Sequence, residues 1–165
     1  MKKFLLLLFC LIFTLSANAV SLSGGVSENV IDKGFFGTWH VTSKLIETNS
    51  TSEMARLSVH IWNLSGSRNV LVLENKFSGA RSEIVVDKAT VQPDGALLKF
   101  KRVSQQGDEA NKIVLTEMPE ITLKGDIFQG YDTFYIEKYN NGVLYKKEVV
   151  KYKLVGQRIT GNKVE

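Results

Sequence analysis

Cysteine, proline and histidine are scarce in this chain, with one Cys, two Pro and two His among 165 residues. A lone thiol cannot close a disulfide within the chain, and cysteine-rich zinc sites are out of reach, so the fold must rest on its own apolar core. Excess charge is lacking too. Lys and Arg number 21 against 17 Asp and Glu, a net charge of +4, which gives no basic footprint for nucleic acid. With 44% hydrophobic residues the composition excludes a disordered chain, and the length suits one domain. No helix-period segment of ordinary length, internal repeat, phosphate-cradling glycine loop or Gly-x-Ser-x-Gly elbow is present.

Long hydrophobic runs are absent except at the start, where Lys2 and Lys3 precede an apolar stretch from Phe4 to Leu15 and then Ser16-Ala17-Asn18-Ala19. A basic start, a short greasy centre and small residues at Ala17 and Ala19 are the parts of a secretory signal, and the run is too short to span a bilayer as a helix. Residues 1–19 are therefore read as a signal peptide cleaved after Ala19, and the product as secreted or periplasmic and soluble. Lipidation at Cys10 is the rival reading, but bulky Phe9 precedes it. Cleavage removes Lys2, Lys3 and the only Cys, halving the net charge and leaving no thiol. Residues 20–34 are rich in Ser and Gly, too poor in side chains to pack, and read as a flexible leader to a single domain over 35–165.

From Phe35 onward, short runs of alternating apolar residues are separated by polar turns about every ten residues, the pattern of antiparallel β-structure. Strands are expected over 36–47, 57–64, 69–74, 81–91, 96–103, 112–118, 120–128, 133–139 and 143–155. Asn140-Asn141-Gly142 supplies residues that tolerate positive φ in a tight hairpin, and Pro93-Asp94-Gly95 marks another turn. Sequential strands without a crossover helix leave two all-β architectures, an antiparallel up-and-down β-barrel of about eight or nine strands or a β-sandwich. The hairpin links favour the barrel.

Alternation assigns faces. Trp39, Val41, Ser43 and Leu45 share one side of the first strand, Trp39 pointing in and His40 out, and Ala96, Leu98 and Phe100 oppose Lys99 and Lys101. In the second strand the aliphatic Val59 and Ile61 are read as interior. The opposite face, if inward, would give a pocket a polar handle in His60 and a flat wall in Trp62.

Gly37-Thr38-Trp39, at the start of the first strand after an irregular leader, resembles the Gly-x-Trp motif of the lipocalin (calycin) family, and Arg158 lies in the final stretch. The family's Thr-Asp-Tyr signature is absent, Tyr131-Asp132-Thr133 running in the other order, and there is no disulfide pair. The resemblance implies a barrel closed at one end by Gly37 and Trp39 with Arg158 packed on the indole. It also implies a small, largely apolar ligand in the barrel mouth, with Trp39, Val41, Leu98, Phe100, Ile113 and Leu115 as lining or floor, and no catalysis.

The inventory for chemistry is thin. His40 and His60 could meet across neighbouring strands, but two ligands do not close a metal site, and no metal or cofactor is expected. Asp108-Glu109 and the pair Glu117 and Glu120 read as solvated charge, while Arg102 and Glu117 end apolar faces and either rim a pocket or reach solvent by snorkelling. Tyr131, Tyr135 and Tyr139 have one parity and form an outward stripe, stacked on Lys147, Val149 and Lys151 or free to meet a partner. Lys138, Lys146, Lys147, Lys151 and Lys153 make the last hairpin basic, guarding a sheet edge or meeting an anionic envelope surface. That surface gives the second expectation for function, an envelope module with a filled barrel that contacts protein, glycan or anionic lipid. Asn49-Ser50-Thr51 and Asn63-Leu64-Ser65 are sequons.

Overall fold

A computed structural model describes residues 30–161, and the expected signal peptide and most of the expected leader lie outside them. Eight antiparallel strands follow one another around a closed barrel: β1 (Gly37–Thr48), β2 (Leu57–Ser67), β3 (Val70–Asn75), β4 (Arg81–Gln92), β5 (Gly95–Gly107), β6 (Lys112–Lys124), β7 (Ile127–Asn140) and β8 (Val143–Gly161). Each pairs with its sequence neighbour, and β1 pairs with β8 from Gly37↔Gly161 to Thr48↔Val150. Ladders thus join every neighbouring pair, β8 to β1 included, and the sheet closes as an up-and-down barrel, while the stretch of β8 that carries Lys146 and Lys147 extends past the end of β1.

The count is eight because the segments expected over 112–118 and 120–128 are largely one strand. Pro119 looks like a break but stays in β6. The ladder to β7 runs straight through it at Pro119↔Asp132, whereas the ladder to β5 skips from Arg102↔Glu117 to Lys99↔Glu120. The missing rungs are those a Pro119 N–H would have made, so the proline turns its donorless nitrogen towards β5. The true turn is Gly125-Asp126. Between β7 and β8, Asn141 (φ 50°) and Gly142 (φ 77°) both take positive φ, as a two-residue hairpin turn requires.

Parity in β1 and β5 holds. Trp39, Val41, Leu98 and Phe100 are fully buried and His40 is exposed. In β2 it is reversed from the expectation: Trp62 and Leu64 are buried and His60 faces the interior, while Val59 is 42% exposed. Pairing decides this, because Trp39 stands directly opposite Trp62 and brings both indoles to one face. His40 and His60 therefore point to opposite faces and do not meet.

The lower half of the barrel is filled. Phe128 sits between the indoles, 5.0 Å from Trp39 and 6.0 Å from Trp62 between ring centroids, and Leu71, Leu73, Ile84, Leu98, Phe100, Ile121, Leu123 and Leu154 complete the packing. A 3-10 turn, Lys33–Phe35, closes the base beneath them, the Gly34 N–H donating to the Asp32 side chain. Phe35 is fully buried, and its carbonyl accepts a 2.8 Å hydrogen bond from Trp39 Nε1. Ile31 is 2% exposed and donates its N–H to Arg68 O, so the end of the expected flexible leader is packed into the core.

Candidate functional site

Above this floor the inward positions change character. Going round the ring at that level, β1 supplies Ser43; β2 Ser58, His60 and Trp62; β3 Asn75; β5 Arg102; β6 Glu117; β7 Asp132 and Phe134; and β8 Tyr152. They enclose a cavity of about 290 Å³, near the lower end of the roughly 300–1,000 Å³ usual for small-molecule sites. Cross-strand register brings the charged groups together. Arg102 is opposite Glu117, Glu117 is opposite Phe134, and Asp132 is opposite Tyr152.

Glu117 is 4% exposed and Asp132 2%. Arg102 holds the first through two nitrogens, Nε at 2.6 Å and the closer Nη2, both on Oε2. Both nitrogens thus give the buried Glu117 carboxyl a cationic partner. Asp132 has no cation of its own. Burial pushes its pKa well above the ordinary value, and the charge and hydrogen bond of Glu117 push it further, with only Arg102 opposing. The pair thus shares one proton, and it resides on Asp132. Asp132 Oδ1 finds no hydrogen-bond donor in the protein.

His60 sits across the cavity, its Nε2 3.1 Å from Ser58 Oγ and its Nδ1 3.4 Å from Asn75 Nδ2. Burial lowers its pKa, with the charge of Glu117 partly offsetting, so the ring is neutral at neutral pH. Phe134 and Tyr152 meet edge to face at 5.8 Å and, with Trp62, supply the apolar walls.

The residues expected to matter divide by level. Trp39, Val41, Leu98 and Phe100 belong to the close-packed floor and do not line the cavity. Phe128 and Trp62 occupy the space an apolar ligand would have needed there. Leu115 is half-buried higher on β6, and Ile113, 42% exposed, is nearer still to the mouth. Glu117, read as solvated, as snorkelling or, with Arg102, as rimming a pocket, lines the cavity together with Arg102. Gly37, Trp39 and Arg158 do come together: Arg158 lies opposite Trp39 across β8–β1, its guanidinium 4.2 Å from the indole centroid. It donates to Phe36 O and Gly34 O, and its Nε bonds Asp126 at 2.8 Å.

Sequence reasoning missed Asp132 and Tyr152 as site residues. The signal for Asp132 was available, because it shares parity with Phe128 and Phe134 and is therefore a carboxyl on an aromatic face.

The tyrosine stripe does face outward. Tyr131, Tyr135 and Tyr139 lie under Lys151, Lys147 and Lys112, at 4.8, 5.6 and 5.3 Å from the ring centroids. Of the hairpin lysines, Lys138 and Lys146 turn inward to Glu148, at 3.0 and 2.8 Å. Among the described residues no group of three or more His, Cys, Asp or Glu is placed to hold a metal ion, and no helix is long and apolar enough to cross a membrane.

The chain matches no protein-family model, and no curated protein or solved structure matches it. The class defined by fold and site is thus an eight-stranded antiparallel barrel with a filled floor and a polar, aromatic-walled cavity above it.

Proposed function

We propose that this is a secreted or periplasmic, lipocalin-like barrel that binds a small molecule with a largely apolar body and does no chemistry on it. The observation that carries the reading is the division of the interior: a floor packed solid up to Phe100 and Trp62, then a cavity of about 290 Å³ that Asp132, Glu117 and Arg102 share with the aromatic walls Trp62, Phe134 and Tyr152. Gly37 and Trp39 under the guanidinium of Arg158 support the resemblance, since a guanidinium stacked on a wide indole seals the narrow end of a barrel.

Binding rather than catalysis is favoured by the side chains. Ser58 and His60 are within hydrogen-bond reach, but Nδ1 of His60 meets the Asn75 amide rather than a carboxylate, and burial lowers the pKa of the ring with the charge of Glu117 only partly offsetting, which makes it a weak base for the hydroxyl. On the envelope reading, each tyrosine of the stripe already has a lysine of this chain over its ring, while Tyr131 keeps 48% of its surface exposed.

Trp62 lines the cavity and Trp39 does not, so their fluorescence separates site from floor. Titration with small aromatic and alicyclic molecules should quench emission saturably in the native protein and not in Trp62→Phe, and native mass spectrometry should show a retained ligand. Absence of both a saturable response and a retained mass removes the proposal.

A further inference from the structure

The charge balance of the cavity leaves one place open. Arg102 and Glu117 neutralise each other, and His60 is held neutral by burial. Asp132 is driven towards the protonated form beside Glu117, and its buried Oδ1 receives no donor from the protein. An unmet acceptor at a 2% exposed residue costs about 1–3 kcal/mol. A second carboxylate here would need a second cation, and among the described residues no lysine or further arginine lines the cavity. Three aromatic rings, Trp62, Phe134 and Tyr152, bound the same space, and ring faces attract organic cations as readily as apolar bodies.

We propose that the cavity takes a small organic amine, its ammonium donating to the carboxyl pair of Asp132 and Glu117 and its apolar body lying between Trp62, Phe134 and Tyr152. This rests on the ligand-binding reading above and names the chemistry of its ligand. An anionic head would meet two acidic side chains while the one guanidinium is already engaged. A neutral alcohol supplies a donor but not the charge that lets both carboxyls ionise. On binding, the proton between Asp132 and Glu117 leaves to solvent and the ammonium N–H groups take its place. Affinity therefore rises with pH for as long as Asp132 is protonated in the free protein and the amine remains charged.

Calorimetric titration of the protein with 2-phenylethylamine, 2-phenylethanol and phenylacetate varies head-group charge at nearly constant shape. The amine should bind saturably, the alcohol at least roughly tenfold more weakly, and phenylacetate not at all. Comparison of buffers with different ionisation heats should show about one proton released per amine bound. Asp132→Asn should lower amine affinity by at least about tenfold. The charge series and the proton count need no variant, so they decide the matter even if Asp132→Asn folds poorly. Alcohol or phenylacetate binding as well as the amine, or amine binding without proton release, overturns the amine assignment and leaves ligand binding standing. Failure of all three probes, with a neutral or anionic ligand retained in native mass spectrometry, does the same. Failure of all three with nothing retained overturns both.

Discussion

Two buried carboxyls on β7 and β8 show how neighbours, rather than burial alone, set a proton. Asp132 has no cation of its own and is driven towards the neutral form. Glu148, 1% exposed on β8, lies between Lys138 and Lys146, and their hydrogen bonds, with one from the Thr51 N–H, outweigh its desolvation and bring its pKa down to about 2. Lys138 and Lys146 are directly opposite each other across the hairpin, a like-charge pair that Glu148 makes tolerable. The sign of the pH dependence follows. Unfolded Glu148 titrates near its ordinary 4.5, so its contribution to stability is complete above that pH and is lost as pH falls towards 2. Carboxyl NMR should place the Glu148 midpoint near 2, and Glu148→Gln should flatten that part of the acid stability profile. The variant should also release residues 49–52, whose Thr51 N–H and hydroxyl both lie on Glu148 Oε1, and so speed exchange of the Thr51 amide. An ordinary midpoint for Glu148 contradicts this account.

Element by element, the strands touch most closely where a side chain is missing. Gly156, inward on β8, leaves the space in which the Phe128 ring lies, and a Cβ there would fall inside that ring. Phe128 cannot yield easily, being held between Trp39 and Trp62. Gly156→Ala should therefore cost about 1–3 kcal/mol in urea denaturation, the usual range for overfilling a tight core, and Phe128→Leu should recover part of it. An unchanged midpoint would mean that the floor is loosely packed. The same elements separate what could be read from sequence from what could not. The faces of β1 and β5 were legible because Trp39, Val41, Leu98 and Phe100 alternate with polar residues, and the β7–β8 turn because Asn141-Gly142 leaves little choice. The face of β2 was not, since Val59 and Ile61 compete with Trp62 and Leu64, and only pairing with β1 breaks the tie. Pro119 misled because a proline is compatible with a strand when its nitrogen faces a gap in the ladder, which one strand cannot reveal. The cavity was half legible: the parity of Asp132 was in plain view, but its meeting with Glu117 and Arg102 depends on the register of three strands.

For the molecule as a whole, closure depends on the first and last strands, the one pairing between elements far apart in sequence. Arg158 fastens that seam in several ways at once. Its plane covers the Trp39 indole, its two terminal nitrogens hold the carbonyls of Gly34 and Phe36 at the base, and its Nε reaches Asp126 in the β6–β7 turn. The Arg158 side chain is 5% exposed, so its bonds to the two carbonyls are little screened by water. Lysine would keep the charge and one contact but lose the flat stacking surface and the fork that spans two carbonyls. Two buried carbonyls would then compete for one ammonium, and an unmet one costs about 1–3 kcal/mol. Arg158→Lys should accordingly lower unfolding free energy by about that amount and speed exchange of the amides that join β1 to β8. Because the floor separates this seam from the cavity, ligand affinity should stay within about twofold of the native protein. Equal stability of the two proteins, or loss of binding in step with loss of stability, would show that floor and mouth are not independent.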